Sequence, residues 1–279
     1  MSFESFINRM SVKEGRKMGE PEERLAGAQQ IVGFLEGSSV FVVLIVVWQL
    51  AVWAFNPPAY LLPAPLAVWH DIWDPALQWP MSISITMQEI LGGFAISAVA
   101  GVGLGIAISW APALGRTILP FLVAFNILPK VAIAPLFLIY LGYGIFPNMV
   151  IAAMIGFFPV VINTATGLSE IEQDWIDLAR SLGAPKWKIF LRLRIPHALP
   201  HIVSGLKVSS TLVVIGAVIG EFIASQGGLG NVEISTQVSL NTALAFASLF
   251  WLSVIGLFLY WAIDIVAKLS MPWAREAIE

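Results

Sequence analysis

The chain has 279 residues, of which 58% are hydrophobic and only 12% charged. Soluble domains carry about 25% charged residues, so a soluble globular protein is excluded, and several apolar runs approach or exceed the ~20 residues that cross a bilayer core. With no cysteine, disulfides and thiolate metal sites are excluded too, and a net charge of −3 gives no sign of a nucleic-acid partner.

Residues 1–37 are a polar tail holding Arg9, Lys13, Arg16, Lys17 and Arg24. Two readings stand for it, a partly ordered tail and a short helix lying on the membrane surface. It lacks an apolar core of signal-peptide type, so no cleaved signal is expected. The first span is expected at Ser38–Phe55, with Trp48 and Trp53. Asn56-Pro57-Pro58 stops any helix there. Asn56–Pro80 reads as a loop whose Trp69, Trp73 and Trp79 are interface anchors or contacts for an external partner. Span 2 is expected at Ile83–Ile108, where Gly101 and Gly105 share one face and allow close helix approach. Span 3, Thr117–Leu141, holds Pro120, Pro129 and Pro135, and carries Lys130 at mid-depth. Span 4 is expected at Met149–Thr166, span 5 at Gly205–Ser225 with Gly216, Gly220 and Glu221, and span 6 at Ala243–Ala267. Gly227–Gly230 breaks the chain after span 5, and the polar stretch Asn231–Asn241 dips toward the membrane.

Six spans place both termini on one side. The tail, the turn at Arg116, the loop 167–204 with its flank at Lys207, and the C-terminal tail all fall on that side. Of the fifteen Lys and Arg, only Lys130 lies elsewhere. This charge asymmetry places both termini and the loop in the cytoplasm. The expected organisation is a cytoplasmic tail 1–37, a transmembrane domain 38–267 containing the loop 167–204, and a cytoplasmic tail 268–279.

The loop is the informative part. It carries a short helix over Trp175–Leu182 with Ile176, Ala179 and Leu182 on one face. Gly183 ends that helix. A second helix starts after Pro185 and is ended by Pro196. Gly183 follows Asp177 at an offset of six, and Pro196 follows Gly183 at an offset of thirteen. Asp177-Leu178-Ala179, Gly183 and Leu193-Arg194-Ile195-Pro196 resemble, at that spacing, the EAA–Gly–I-x-L-P signature of importer-type ABC transporter permeases. The departures are Asp for Glu, Leu for the first Ala, and exchanged Leu and Ile before the proline. Pro129–Gly144 (PKVAIAPLFLIYLGYG) and Gly220–Gly230 (GEFIASQGGLG) resemble the nitrate/sulfonate/taurine branch of that superfamily. The similarity covers about residues 45–270.

The resemblance implies an all-α polytopic membrane protein with six transmembrane helices and the type I importer permease fold, in the bacterial inner membrane. It implies a coupling helix, with Asp177, Leu178, Ala179, Arg180, Gly183, Ala184 and Pro196 engaging an ATPase subunit. The implied partners are two ABC ATPase subunits, a second permease chain, identical or homologous, and an extracytoplasmic solute-binding protein. ATP and Mg belong to the ATPase partners, since this chain has no G-x-x-x-x-G-K-[ST] phosphate loop; it is read as a transport subunit without a catalytic site, metal or cofactor of its own. The implied solute is small and anionic, of the nitrate, sulfonate, taurine or bicarbonate kind.

Within the spans, Asn126, Lys130 and Glu221 are the candidate pathway residues. Three readings of Lys130 stay open: attraction of an anionic solute, pairing with Glu221 or Glu89, and reaching to an aqueous vestibule. Glu221 is a gate or binding-protein contact, or a solvated helix end, and the same weighing applies to Glu89. Asn163 and Thr164 line a pathway or make helix–helix contacts. His197 and His201 are four apart, but Pro200 between them and the missing Glu of H-E-x-x-H argue against a metal pair. The alternative function is a six-span secondary transporter or channel. An intramembrane enzyme has no nucleophile–base set to support it.

Overall fold

The computed structural model describes residues 39–224 and 227–271, and among these it is entirely helical, without a strand. The expectations for residues 1–37 and for residues 272–279 lie outside the described residues. The chain divides into two units, Met1–Ala67 and Val68–Glu279. In the first, α1 (Ser39–Phe55) is an apolar helix of 17 residues. Asn56, in left-handed backbone, closes it by donating its N–H to the Val52 carbonyl at 3.0 Å.

The second unit is a helical assembly. The boundary between the units falls inside α2 (Pro65–Ile72), and a one-turn 3₁₀ helix at Pro75–Leu77 leads into α3 (Trp79–Trp110). Next come α4 (Pro112–Ile127), α5 (Lys130–Leu141) and α6 (Ile145–Ser169). Then follow α7 (Gln173–Ser181), α8 (Lys186–Ile189), a π turn at Phe190–Arg194 and α9 (Ile195–Ala224). α10 (Leu229–Ser239) and α11 (Thr242–Ser270) end the described chain. α3, α6, α11 and the run Lys186–Ile223 are each long and apolar enough to cross a membrane. The pair α4/α5 qualifies only jointly. With α1, the described residues thus hold six apolar helical segments.

α6 lies at the centre, packed between α3 and α9, and is the most buried of the long helices. Small residues make this possible. A methyl group added to Gly101 would stand 2.7 Å from Val160 Cβ, and one on Gly105 would stand 2.6 Å from Thr164 Cβ. On α9, a methyl group added to Gly216 would meet the α6 backbone itself, 2.5 Å from Ala152 Cα. In a membrane, where burial from water does not drive helices together, such close approach supplies the van der Waals contact. Ser97 and Ser209, fully buried, add a 3.1 Å hydrogen bond between α3 and α9.

Two expectations need correction. The stretch Thr117–Leu141 is not one straight span; α4 and α5 meet at 97°. Of its three prolines, only Pro129 breaks the helix, because it forces Leu128 into extended backbone (φ −59°, ψ 135°), whereas Pro120 and Pro135 sit inside helices. Likewise Pro196 does not end the helix after Pro185, and Pro200 does not interrupt it. The chain runs helically from Lys186 to Ile223. The π turn in front of Pro196, in which the Ile195 N–H reaches back to the Phe190 carbonyl, widens the helix where the proline ring enters.

Candidate functional site

The connecting element between α6 and α9 is fixed at both ends. α7 terminates in a Schellman arrangement: the Ala184 N–H bonds the Ala179 carbonyl at 3.0 Å and the Gly183 N–H bonds the Arg180 carbonyl at 2.9 Å. This geometry needs φ of +78° at Gly183, where an added side chain would meet open space. The glycine is therefore required by backbone conformation and not by crowding. Asp177 accepts hydrogen bonds from Arg180 Nη1 and Gln173 Nε2, both at 3.1 Å, so the acid of the signature stiffens its own helix.

Ile176 is 3% exposed and Ala179 half-buried, as the sequence pattern predicts. Leu182 is 79% exposed, because the chain leaves the helix there. Trp175, Leu178, Trp187 and Leu191 are also exposed, giving this polar segment an open apolar surface. Beneath it, Phe190 is buried with Leu168, Ala198 and Ile202 and stacks edge-on against Trp110 at 4.9 Å between centroids. Arg180, Lys186 and Arg194 border a hollow of about 290 Å³ between the end of α3 and α7–α8. Pro196 lies within the first turn of α9, behind the π turn.

Lys130 opens α5 at the 97° bend, and its Nζ donates to Asn126 Oδ1 at 2.7 Å. Both border a mostly apolar hollow of about 230 Å³ that Phe125, Met154, Phe157 and Phe158 also line. Glu89 and Glu221 make their contacts elsewhere, so Lys130 pairs with neither. Asn163 donates to the Pro159 carbonyl of its own helix at 2.8 Å, and Thr164 is buried against Gly105.

Glu221 belongs to a buried polar cluster that single-residue weighing of the sequence misses. Thr86 on α3 donates to its Oε1 at 2.6 Å. The backbone N–H groups of Gly230 and Asn231, at the start of α10, donate to its Oε2. Thr86 Oγ1 in turn accepts the Leu229 N–H at 2.8 Å. A carboxylate at a helix N-terminus is favoured by the orphan N–H groups and the helix dipole. Glu89 lies beside it and accepts from Asn148 Nδ2 at 2.8 Å. Farther along α10, burial raises the Glu233 carboxyl above its ordinary value.

Midway along α9, Lys207 donates to Asp264 at 2.5 Å, fastening α9 to α11, and Lys268, one turn along α11, approaches the same carboxylate at 3.1 Å. His201 Nε2 lies 3.2 Å from Glu170, and His197 is exposed. No sequence motif announced the Lys207–Asp264 and His201–Glu170 pairs, which join residues distant in the chain.

Residues 93–275 match the family described as the binding-protein-dependent transport system inner membrane component. The chain is 30% identical over 243 residues to the formylaminopyrimidine transport permease protein ThiX of Halalkalibacterium halodurans, covering 87% of this chain and 97% of that one. It is 24% identical to the nitrate import permease protein NrtB of Leptolyngbya laminosa, over 83% and 86% of the two chains. Among solved structures it is similar in fold to the inward-facing methionine ABC transporter MetNI, with a TM-score of 0.59 over 70% of this chain and 98% of that one at 20% identity.

Proposed function

The chain belongs to the family of binding-protein-dependent transport system inner membrane components, and from that premise we propose that it moves a small anionic solute inward by alternating access, driven by ATPase subunits docked on Gln173–Ile189. The observation that carries this reading is the rigid connecting element. Its backbone is locked at Gly183, its foot is anchored by Phe190, and its outer face presents Trp175, Leu178 and Leu182 unpaired. A stiff, apolar, two-ended protrusion suits a groove in another protein. Ala184 and Arg180 lie at its tip, and Asp177 and Ala179 set its shape.

The cation pattern of the sequence supports a cytoplasmic position for this element and for both termini, in the bacterial inner membrane. ATP and Mg then belong to two ATPase partners, the pathway runs between this chain and a second permease chain, and a soluble binding protein delivers solute on the outer side. Asn126 and Lys130 supply an amide and a cation to an otherwise apolar hollow, which suits a small anion or the polar edge of a heterocycle. Similarity to a nitrate permease favours the anion. Similarity to a formylaminopyrimidine permease favours the heterocycle as a second reading.

Because the native chain has no cysteine, single cysteines at Arg180 and Ala184 give an unambiguous test. Both are expected to crosslink to the ATPase subunit in membranes, and uptake is expected to follow ATP and not an ion gradient. Absence of crosslinks together with gradient-driven uptake would favour a secondary transporter.

A further inference from the structure

Two carboxyls meet in the interior. Glu89 on α3 and Glu221 on α9 are 0% and 1% exposed, and they lie side by side: Thr86, one turn before Glu89 on α3, donates to Glu221, and Asn148, which donates to Glu89, abuts Gly220. An ionised carboxylate offers only acceptors, so a bond between two carboxyls needs a proton on one of them. The surrounding donors distinguish the two. Glu221 accepts from the Thr86 hydroxyl and from the N–H groups of Gly230 and Asn231, the set that an ionised carboxylate satisfies. Glu89 accepts only from Asn148, at Oε1, while its Oε2 is buried and finds no donor. A proton on that oxygen turns an unmatched acceptor into a donor, and the neighbouring Glu221 carboxylate is an acceptor for it.

We propose that Glu89 carries a proton which it shares with ionised Glu221, and that this proton fastens α10 to the α3–α6–α9 core. Glu221 and Thr86 together hold the first three N–H groups of α10, so whatever holds Glu221 in place holds α10. Removing the proton leaves two buried negative charges in contact, and the carboxylate with the mobile partner has to turn away.

No other ionisable side chain among the described residues acts on the pair. α3 presents Thr86, α6 presents Asn148, and α10 presents its backbone. Lys130 is bound to Asn126, and Lys207 lies fourteen residues along α9, about 21 Å away. Glu233 is the remaining acid on α10. The inference is independent of the solute and of the docking surface.

The test uses the transporter assembled with its ATPase subunits in lipid nanodiscs. Infrared difference spectra at neutral pH are expected to show one protonated-carboxyl C=O band, present in wild type and Glu233→Gln and lost in Glu89→Gln. Hydrogen exchange at Leu229–Asn231, corrected for intrinsic base catalysis, is expected to rise roughly tenfold per pH unit once opening releases the proton. In Glu89→Gln, whose amide donates the same bond without titrating, exchange is expected to stay flat with pH. A wild type without the band, a band that survives Glu89→Gln, or wild-type exchange that ignores pH would each overturn the proposal. If Glu89→Gln does not assemble, the two wild-type measurements decide alone.

Discussion

A lysine at the bilayer centre costs on the order of 2.5–3.5 kcal/mol on insertion scales. At the mid-depth expected from the sequence, Lys130 would meet that cost with a single amide, Asn126, and with the hollow it borders. Its remaining N–H donors are thereby available to a solute. A charge-assisted hydrogen bond contributes about 1.5–3 kcal/mol, so Lys130→Met is expected to lower uptake at subsaturating solute roughly tenfold or more, while ATP hydrolysis by the assembled transporter persists. Radiolabelled uptake beside an ATPase assay separates the two. Normal uptake by this variant would remove any specific role for the amine. Glu89 and Glu221 show what single-residue reading misses: each looked like an isolated acid near a span end, and their pairing across 132 positions depends on how α3 and α9 pack.

At the level of the helix, the spacing Asp177, Gly183, Pro196 located the connecting element, because a helix that stops in left-handed backbone advertises itself with glycine. Gly183→Ala keeps all contacts yet forces an alanine to φ of +78°, at a cost of about 1–2 kcal/mol. Uptake coupled to ATP hydrolysis is expected to fall in this variant, with Gly183→Asn less affected, as an assay of solute moved per ATP would report. The helix interfaces make a second comparison. Gly216→Ala drives a methyl into the α6 backbone and is expected to cost about 1–3 kcal/mol. Gly103→Ala, with nothing within 4 Å, is expected to leave thermal stability in detergent unchanged. The sequence marks both glycines alike; only the packed helices separate them. The prolines mislead in the same way. Pro129 breaks its helix and Pro196 does not, because a widened turn precedes Pro196 while an extended Leu128 precedes Pro129.

Across the molecule, hydrophobic runs alone identified α1, α3, α6, α9 and α11 as apolar segments, since 17 to 32 residues of unbroken apolar helix leave few alternatives. The 97° bend between α4 and α5 and the start of α9 were not legible, because both depend on how neighbours cover freed backbone groups. That misread start has a mechanical meaning. From Lys186 to Ile223 the chain forms one helical run of 38 residues, roughly 57 Å long, carrying Trp187 near its foot and Glu221 near its head. Its irregular stretch, the π turn with Pro196 and Pro200, lies near the foot, and above it the helix is continuous to the carboxyl that grips α10. Under the proposed docking, a tilt imposed at the foot would reach that carboxyl along a single piece of helix.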